Sequence, residues 1–266
     1  MRNEKSKLKI KKNVLLSKYT TFKIGGLAKY FCIANNKKDV IMAIKWAKEK
    51  KLPFFILGNG SNVLVVDKKY SGLVIKTGKP LAHYVFKGLE WAAGIPGTIE
   101  GAVYGNAGAF GKSMKDAVKE VEVWDTKTEK IKIFKKKDCG FGYRESIFKK
   151  NKNLIILSVK IKSKKSNLKK IKEYLNYKKQ TQPLNLPSAG SVFKNPKGYF
   201  AAELIEKCGL KGKTIGRAQI SKKHANFIVN LGGAKAKDVF TLIKIIKQKV
   251  KNKFGIILEE EIQILK

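Results

Sequence analysis

Long apolar runs are missing from this sequence, which excludes a membrane-spanning protein. No uninterrupted apolar stretch approaches the roughly 20 residues that a membrane helix needs. Only Val14-Leu15-Leu16 follows the basic N-terminus, and this run is too short for the apolar core of a signal peptide. We therefore expect a cytoplasmic protein that does not insert into a membrane.

Cysteine and histidine are also scarce. Cys32, Cys139 and Cys208 lie far apart and form no CxxC pair, which is typical of reduced thiols in a reducing compartment. His83 and His224 are the only histidines, so the sequence offers no ligand spacing for a dedicated zinc or iron site. We expect no metal.

Acidic residues and arginine are few, whereas lysine is abundant. The chain has 58 Lys and Arg against 20 Asp and Glu, a formal net charge of +38, but only Arg2, Arg144 and Arg217 are arginines. Nucleic-acid readers favour the planar fork of arginine and cluster their basic residues, whereas lysine here is spread along the chain. We interpret the lysines as solvated surface and expect no nucleic-acid partner. Arg144 and Arg217, in contrast, are predicted to need the guanidinium itself.

The apolar periodicity predicts a mixed α and β protein. Residues 38–50 have the spacing of an amphipathic helix, followed by short strands at 54–57 and 63–66. A hairpin is predicted at 118–134, and the remaining predictions are strands at 154–161 and 256–265 and helices at 163–179, 199–208 and 237–253. The lysine-rich connector places the likeliest domain boundary near 165–185.

A first glycine-rich loop, Gly58-Asn59-Gly60-Ser61-Asn62, joins two of these strands. Glycine backbone can approach a ligand closely, so that successive N–H groups converge on an anion. Asn-Gly is also a favoured pair in tight β-hairpins. The loop by itself is compatible with either a diphosphate cradle or a hairpin turn.

A second glycine-rich segment, 94–111, contains six glycines and no clear helix or strand period, and we predict that it is an irregular loop. Ordering so much glycine costs backbone entropy, for which a bound ligand is a natural compensation. Neither segment fits the GxGxxG or GxxxxGK[ST] pattern. The residues predicted to hold a diphosphate here are Gly94, Ile95, Pro96, Gly97, Thr98, Gly101, Asn106, Ala107 and Gly108.

Three further segments contain side chains that could do chemistry. They are 139–146 with Arg144, 187–196 with Ser191, and the glutamates Glu259-Glu260-Glu261. Each also has an ordinary explanation: a salt bridge for Arg144, a turn hydroxyl for Ser191, and a solvated run for the glutamates.

The order of these motifs resembles the UDP-N-acetylenolpyruvoylglucosamine reductase family. The resemblance spans about Thr20 to Ile264 and rests mainly on GIPG at 94–97, NAGA at 106–109, GYR at 142–144 and GSVFKNP at 190–196. The chain is similar to the shorter subtype, which lacks an added loop in the substrate domain.

The resemblance implies an α+β protein with an FAD-binding fold of the vanillyl-alcohol-oxidase (PCMH) type and a smaller C-terminal α+β domain. The FAD domain would occupy 1–175, with subdomains at about 1–75 and 76–175, and the substrate domain 176–266. The implied activity is the reduction of UDP-N-acetylglucosamine enolpyruvate to UDP-N-acetylmuramate, with FAD as cofactor and NADPH as co-substrate. We expect a monomer that binds a UDP-sugar.

The resemblance also implies roles for individual residues. Ser191 would donate a proton, and Arg144 and Glu261 would bind and polarise the enolpyruvyl carboxylate. Tyr143, Lys194 and Asn195 would contact substrate. Another FAD-dependent oxidoreductase of the same superfamily is the alternative enzyme, and a basic nucleic-acid-binding protein or a relative without flavin is the alternative without activity.

Two features depart from the family pattern. The connection from Ile75 to Gly88 is much shorter than the family normally has, so a strand and most of a helix are expected to be missing or replaced. Glu100 stands where the family usually has glycine, and a carboxylate there would repel a diphosphate unless its side chain points away.

Overall fold

The computed structural model describes residues 8–266, which form strands and helices in irregular alternation. The strands are β1 (Lys11–Leu15), β2 (Leu27–Ile33), β3 (Phe54–Leu57), β4 (Val63–Val65), β5 (Tyr70–Lys76), β6 (Gly108–Ala109), β7 (Lys112–Ser113), β8 (Val118–Asp125), β9 (Lys130–Lys135), β10 (Leu154–Ile161), β11 (Ser188–Ser191), β12 (Thr214–Ile215), β13 (Ala218–Ile220), β14 (Phe227–Asn230) and β15 (Gln263–Leu265). The helices are α1 (Lys37–Glu49), α2 (Ala82–Val85), α3 (Ile99–Tyr104), α4 (Met114–Ala117), α5 (Ile147–Lys150), α6 (Leu168–Thr181), α7 (Ala201–Lys207) and α8 (Ala236–Phe254). None of the helices within 8–266 is both long and apolar enough to cross a membrane.

The chain forms two compact units. The first contains residues 8–13, 29–59 and 71–175, and the second contains 14–28, 60–70 and 176–266. The division into an FAD domain and a substrate domain stays a prediction, because compactness does not show what a unit binds.

The first unit is built on two sheets, with strand orders β1-β2-β5-β3 and β10-β8-β9. Helix α1 forms as predicted: the Asn36 side chain accepts a hydrogen bond from the Asp39 N–H at 3.0 Å, which caps its start. Its apolar stripe is buried against the first sheet together with Trp124. Strands β8 and β9 pair in antiparallel register, which confirms the predicted hairpin.

The second unit contains the sheet β11-β14-β13-β12 and the long helix α8. Val239, Leu242, Ile243, Ile246 and Val250 form the buried face of α8, as the spacing predicts. Helices α7 and α8 are both followed by a glycine with φ near 69°, at Gly209 and Gly255, the left-handed conformation that ends helices.

The two strands that flank the first glycine loop do not form a hairpin. Strand β3 pairs in parallel with β5, whereas β4 pairs in parallel with β15 at the C-terminus. The loop therefore connects strands of two different sheets, and the hairpin interpretation of 58–62 is wrong.

Two other predictions are corrected. The second glycine segment is not irregular throughout, because it contains the short helix α3, in which Ile99, Ala102 and Val103 are buried on one face. The C-terminal strand has only three residues instead of the predicted 256–265. The glutamate segment before it bonds to the loop after β11, with the Lys194 N–H donating to the Glu259 carbonyl at 2.9 Å.

Candidate active site

The first part of loop 58–62 is held in the first unit by Lys76, the last residue of β5. The Lys76 ammonium donates to the Gly58 carbonyl at 3.1 Å and to Asn59 Oδ1 at 3.3 Å. Asn59 Nδ2 in turn donates to the Gly97 carbonyl at 3.2 Å, so this part of the first loop is tied to the second glycine segment. The side-chain amide of Asn59 thus makes its hydrogen bonds to other protein groups.

The rest of the loop lies in the second unit and presents unused donors. Gly60 is buried with φ at 63°, and a Cβ there would lie 2.5 Å from the Tyr19 carbonyl oxygen. Asn62 Nδ2 donates to the Glu261 carbonyl at 3.2 Å. The backbone N–H groups of Gly60, Ser61 and Asn62 donate to no acceptor among residues 8–266. Three consecutive N–H groups without a protein acceptor are suited to an anion, because donors withdrawn from water are nearly always paired.

The second glycine segment presents further donors in the first unit. Thr98 is 2% exposed, and its hydroxyl accepts from the Gly101 N–H at 3.1 Å, which starts helix α3. The Gly97 carbonyl accepts from the Leu81 N–H at 3.0 Å. Within the described part of the chain, the N–H groups of Gly97 and Thr98 have no acceptor. Ile95 packs on the core beneath the loop, whereas Pro96 is exposed.

Glu100 uses its carboxylate on the shortened connection. Its Oε2 accepts from the Lys79 N–H at 2.9 Å and lies beside Gly78, where a Cβ would come within 2.7 Å of it. Burial raises the pKa of Glu100, and hydrogen bonds from its own N–H and that of Lys79 oppose this effect. The side chain therefore points at residues 78–79, which is the condition under which a carboxylate at this position is compatible with a nearby diphosphate.

The end of the second segment is connected to the turn that contains Arg144. Asn106 is 4% exposed, and its Nδ2 donates to the Gly142 carbonyl at 2.7 Å while its Oδ1 accepts from the Lys115 N–H at 3.0 Å. Arg144 Nη2 donates to the Gly108 carbonyl at 3.1 Å. The structure thus brings the predicted cofactor residues 106–108 and the predicted catalytic arginine together. Ala107 contributes only backbone here, since its carbonyl accepts from the Met114 N–H at 2.9 Å.

Tyr143 and Arg144 form the corner of a tight turn. Gly142 and Glu145 exchange two backbone hydrogen bonds, of 3.1 and 3.3 Å, across it. Arg144 has φ at 56°, and its guanidinium lies 5.4 Å from the centroid of the Tyr143 ring, which is 55% exposed. The cation–π contact orients the guanidinium and leaves the tyrosine ring accessible.

Ser191 and Glu261 are brought together in the second unit. The Glu261 N–H donates to the Val192 carbonyl at 2.8 Å, directly after Ser191 at the end of β11. The Ser191 hydroxyl makes no hydrogen bond to any residue from Leu8 to Lys266. It is therefore available to exchange a proton with a bound molecule.

Two predicted substrate residues follow on the same loop. The Lys194 ammonium lies 2.6 Å from Glu259 Oε1, with the lysine side chain 11% and the glutamate side chain 70% exposed. Asn195 Oδ1 accepts from the Ala201 N–H at 3.0 Å, at the start of α7. Both residues are thus held in place by the protein.

Lys76 and Asn226 take part in these arrangements and were not predicted as site residues. Asn226, 4% exposed, accepts from the Phe193 N–H and donates to the Phe193 carbonyl, both at 2.9 Å, which fixes the loop after Ser191. An asparagine next to an apolar strand was a usable signal. The sequence contains no such signal for Lys76, because nothing in it distinguishes this lysine from the others.

Comparison with known proteins gives consistent matches. Residues 182–265 match the family model described as UDP-N-acetylenolpyruvoylglucosamine reductase, C-terminal domain. A UDP-N-acetylenolpyruvoylglucosamine reductase of Caldanaerobacter subterraneus subsp. tengcongensis is 41% identical, with 95% of this chain and 92% of the relative covered. The enzyme of that name from Clostridioides difficile is 39% identical, with 98% and 94% covered.

A solved structure matches as well. The crystal structure of UDP-N-acetylenolpyruvylglucosamine reductase from Thermus caldophilus has a TM-score of 0.81 and 33% identity, and the match covers 97% of this chain and 100% of that chain. The alignment to the Caldanaerobacter relative runs over 281 positions but uses only 95% of the 266 residues, so about 28 of its positions lie opposite gaps in this chain.

Proposed function

The chain belongs to the UDP-N-acetylenolpyruvoylglucosamine reductase family, and on that premise we propose that it uses FAD and NADPH to convert UDP-N-acetylglucosamine enolpyruvate into UDP-N-acetylmuramate. The predicted family and fold class are thereby confirmed. The chain is an oxidoreductase of peptidoglycan precursor synthesis and acts on a UDP-sugar.

The donor groups of the two glycine loops support the proposed cofactor. The unused N–H groups of Gly60, Ser61 and Asn62 in one unit, and of Gly97 and Thr98 in the other, are backbone donors suited to phosphate oxygens. Glycine at 58, 60 and 108 keeps these loops free of side-chain bulk, since a Cβ at any of them would lie within 2.7 Å of a neighbouring atom. Each set of donors, taken within its own unit, fits a phosphate group of a dinucleotide, and this is the observation that carries the proposal.

FAD, when bound, takes up a hydride from NADPH and supplies it to the enolpyruvyl double bond. The overall reaction balances as NADPH, substrate and one proton giving NADP⁺ and the reduced product. Addition of a hydride to one carbon leaves enolate-like charge on its neighbour, next to the carboxylate. The protein must stabilise that charge and then deliver a proton.

We assign these two tasks to separate residues. Arg144, with its guanidinium oriented by Gly108 and Tyr143, binds the carboxylate and stabilises the enolate-like charge. Glu261, with its main chain held by Val192 and Asn62, is the second residue proposed to polarise it. Ser191 donates the proton from its uncommitted hydroxyl. Because a serine hydroxyl is a weak acid, this transfer requires a strongly basic acceptor such as a carbanionic carbon.

Tyr143, Lys194 and Asn195 are proposed to bind the rest of the substrate. The partner of Lys194, Glu259, is 70% exposed, so a substrate phosphate can replace it at the ammonium with little loss. We further propose that the enzyme works as a monomer in the cytoplasm. Burial raises the pKa of Cys32 to about 12 and that of Cys139 to about 11, which keeps both thiols unreactive.

Separate measurement of the two half-reactions tests this assignment. In Ser191→Ala, NADPH should bleach the flavin absorbance at the wild-type rate, whereas reoxidation by the enolpyruvyl substrate should slow by roughly 100-fold or more, the usual worth of a positioned acid. Ser188→Ala, on the same strand, is the matched control and should leave both rates unchanged. Equal slowing of both half-reactions in Ser191→Ala would contradict the proton-donor role. Bleaching without reoxidation in the wild type would point to a different substrate.

A further inference from the structure

Lys76 is a half-buried cation without a carboxylate partner. Its ammonium donates to two neutral acceptors, the Gly58 carbonyl at 3.1 Å and Asn59 Oδ1 at 3.3 Å. No carboxylate of residues 8–266 lies within 4.0 Å of it. Burial lowers the pKa of Lys76, and no acidic group offsets this effect.

Two other lysines that are partly withdrawn from water have a carboxylate partner. Lys194 and Lys247 each face a carboxylate oxygen, at 2.6 and 2.9 Å. Proteins normally balance a buried charge with a partner of opposite sign, because removing an ion from water is costly. The uncompensated charge of Lys76 therefore indicates that its counter-ion comes from outside the chain.

The position of Lys76 indicates which anion it would bind. Through Asn59 it is connected to Gly97, so the ammonium is linked to both glycine loops within the first unit. An ammonium has three N–H donors, and only two find acceptors among the described residues. We propose that Lys76 is an anion-binding residue that contacts the diphosphate of the dinucleotide with its third donor and positions the first loop with the other two. This inference rests on the proposed function for the identity of the dinucleotide.

Neutral variants separate the charge of Lys76 from its structural role. Lys76→Met removes charge and donors, and Lys76→Gln keeps a donor for the Gly58 carbonyl while removing the charge. Lys76→Arg keeps the charge. Lys79→Met is the matched control, because Lys79 is an exposed lysine three residues further along the same connection.

The titration uses FAD and riboflavin, which shares the ring system but has no diphosphate, with flavin fluorescence as the readout. Both neutral variants should bind FAD roughly 10- to 100-fold more weakly than wild type, the usual worth of a hydrogen bond to a charged group. Riboflavin affinity should not change, and Lys76→Arg and Lys79→Met should bind FAD within a few-fold of wild type. Unchanged FAD affinity in Lys76→Gln, or an equal loss for FAD and riboflavin, would overturn the proposal.

Inorganic pyrophosphate distinguishes a failure of this inference from a failure of the proposed function. If wild type binds no flavin, the proposed function fails, but the anion site can still be measured. At constant ionic strength, pyrophosphate should raise the thermal unfolding midpoint of the wild type and of Lys76→Arg, and should raise that of Lys76→Gln clearly less. An equal rise in wild type and Lys76→Gln would show that Lys76 does not bind the anion.

Discussion

Arg144 has a backbone conformation that normally favours glycine. Its φ of 56° lies in the left-handed region, which costs a non-glycine residue about 1–3 kcal/mol. The turn closed by Gly142 and Glu145 would form more easily with glycine at this position. The arginine is therefore kept for its side chain, in line with its rarity in a chain that otherwise uses lysine.

Replacement of this arginine should separate stability from activity. We expect the free energy of unfolding of Arg144→Gly to lie within about 1 kcal/mol of the wild-type value, because relief of the backbone strain offsets the lost hydrogen bond to Gly108. Reoxidation of the reduced flavin by substrate should fall roughly 100-fold or more, since a preorganised cation is removed. Denaturant unfolding and stopped-flow absorbance measure the two effects.

The control for this prediction is Lys51, an exposed residue with φ at 51° that follows Lys50, the C-cap of helix α1. Lys51→Gly should stabilise the protein by up to about 1 kcal/mol, because glycine is the preferred residue at this position, and should leave turnover unchanged. Wild-type turnover in Arg144→Gly would contradict the role of the guanidinium.

Glu100 and Glu122 should respond to pH with opposite signs. The pKa of Glu100 is raised by burial, so the folded state binds more protons than the unfolded state above pH 4.5, and stability falls as pH rises through the raised pKa. Glu100→Gln keeps an acceptor for the Lys79 N–H and cannot ionise. It should match the wild type below pH 4.5 and be more stable at pH 7.

The pKa of Glu122 is instead lowered, first by a hydrogen bond from Lys37. Its contribution is present above pH 4.5 and is lost as pH falls through the lowered pKa, so Glu122→Gln should be less stable than wild type at pH 7. Unfolding free energies of the wild type, Glu100→Gln and Glu122→Gln at pH 4 and pH 7 test both predictions. A destabilised Glu100→Gln at pH 7 would show that the carboxylate charge itself is needed at the shortened connection.

At the scale of elements, the sequence was sufficient to predict a helix or hairpin whose own residues show the apolar periodicity of that element. Helix α8 and the β8–β9 hairpin follow from the spacing of their apolar residues and lie close to the predicted bounds. The partners of β3 and β4 could not be predicted, because β5 and β15 are selected by tertiary packing and β15 lies about 200 residues further along the chain. Helix α3 was missed because Gly101 interrupts a six-residue pattern.

The same limit applies to the site. The motifs indicated Arg144, Ser191 and the glycine loops, because unusual residues in unusual contexts can be recognised in a sequence. The contact of Lys76 with Gly58 and the clamp of Asn226 on Phe193 depend on distances between segments remote in sequence. No local pattern contains that information.

The geometry of the first glycine loop is predicted to tolerate no side chain at Gly60. Gly60→Ala combines a φ of 63° with a Cβ 2.5 Å from the Tyr19 carbonyl, so the loop must shift. Gly111 is the matched control, with φ at 71° and no atom within 4 Å of its Cβ. Gly111→Ala should cost only about 1 kcal/mol for its backbone, whereas Gly60→Ala should cost clearly more and weaken FAD binding. Equal costs in urea unfolding would mean that the close approach to Tyr19 is not a constraint.

At the scale of the whole molecule, the chain keeps the family fold, and the connection after β5 is fixed by the second glycine segment. Residues 77–81 run from β5 straight onto the second glycine segment, where Pro80 forms a bridge with Thr98. The Ile99 N–H donates to the Lys79 carbonyl at 2.9 Å, and the Glu100 carboxylate accepts from the Lys79 N–H. The two departures predicted from the sequence thus meet at Lys79, and Glu100 helps to fix residues 78–79.

The net charge of +38 predicts how the whole molecule responds to salt. So many like charges repel one another in the folded state, and screening shortens their range from about 30 Å at 0.01 M to about 10 Å at 0.1 M ionic strength. We therefore expect the thermal unfolding midpoint to rise when NaCl is increased from about 10 to about 100 mM. Surface ion pairs such as Lys45 with Glu129 would give the opposite trend, but they are few against the excess of lysine and individually weak.

Specific anion binding would mimic this effect, and Lys76→Gln excludes it. Repulsion is distributed over the whole surface, so removal of one charge should leave the rise nearly intact, whereas a rise that came from an anion at the glycine loops should disappear in that variant. Replacement of several exposed lysines, for instance Lys11, Lys12, Lys69 and Lys79, by glutamine should reduce the rise in proportion to the charge removed. A midpoint that falls with NaCl in the wild type would show that attractive pairs outweigh the repulsion, and the abundance of lysine would then need a structural explanation after all.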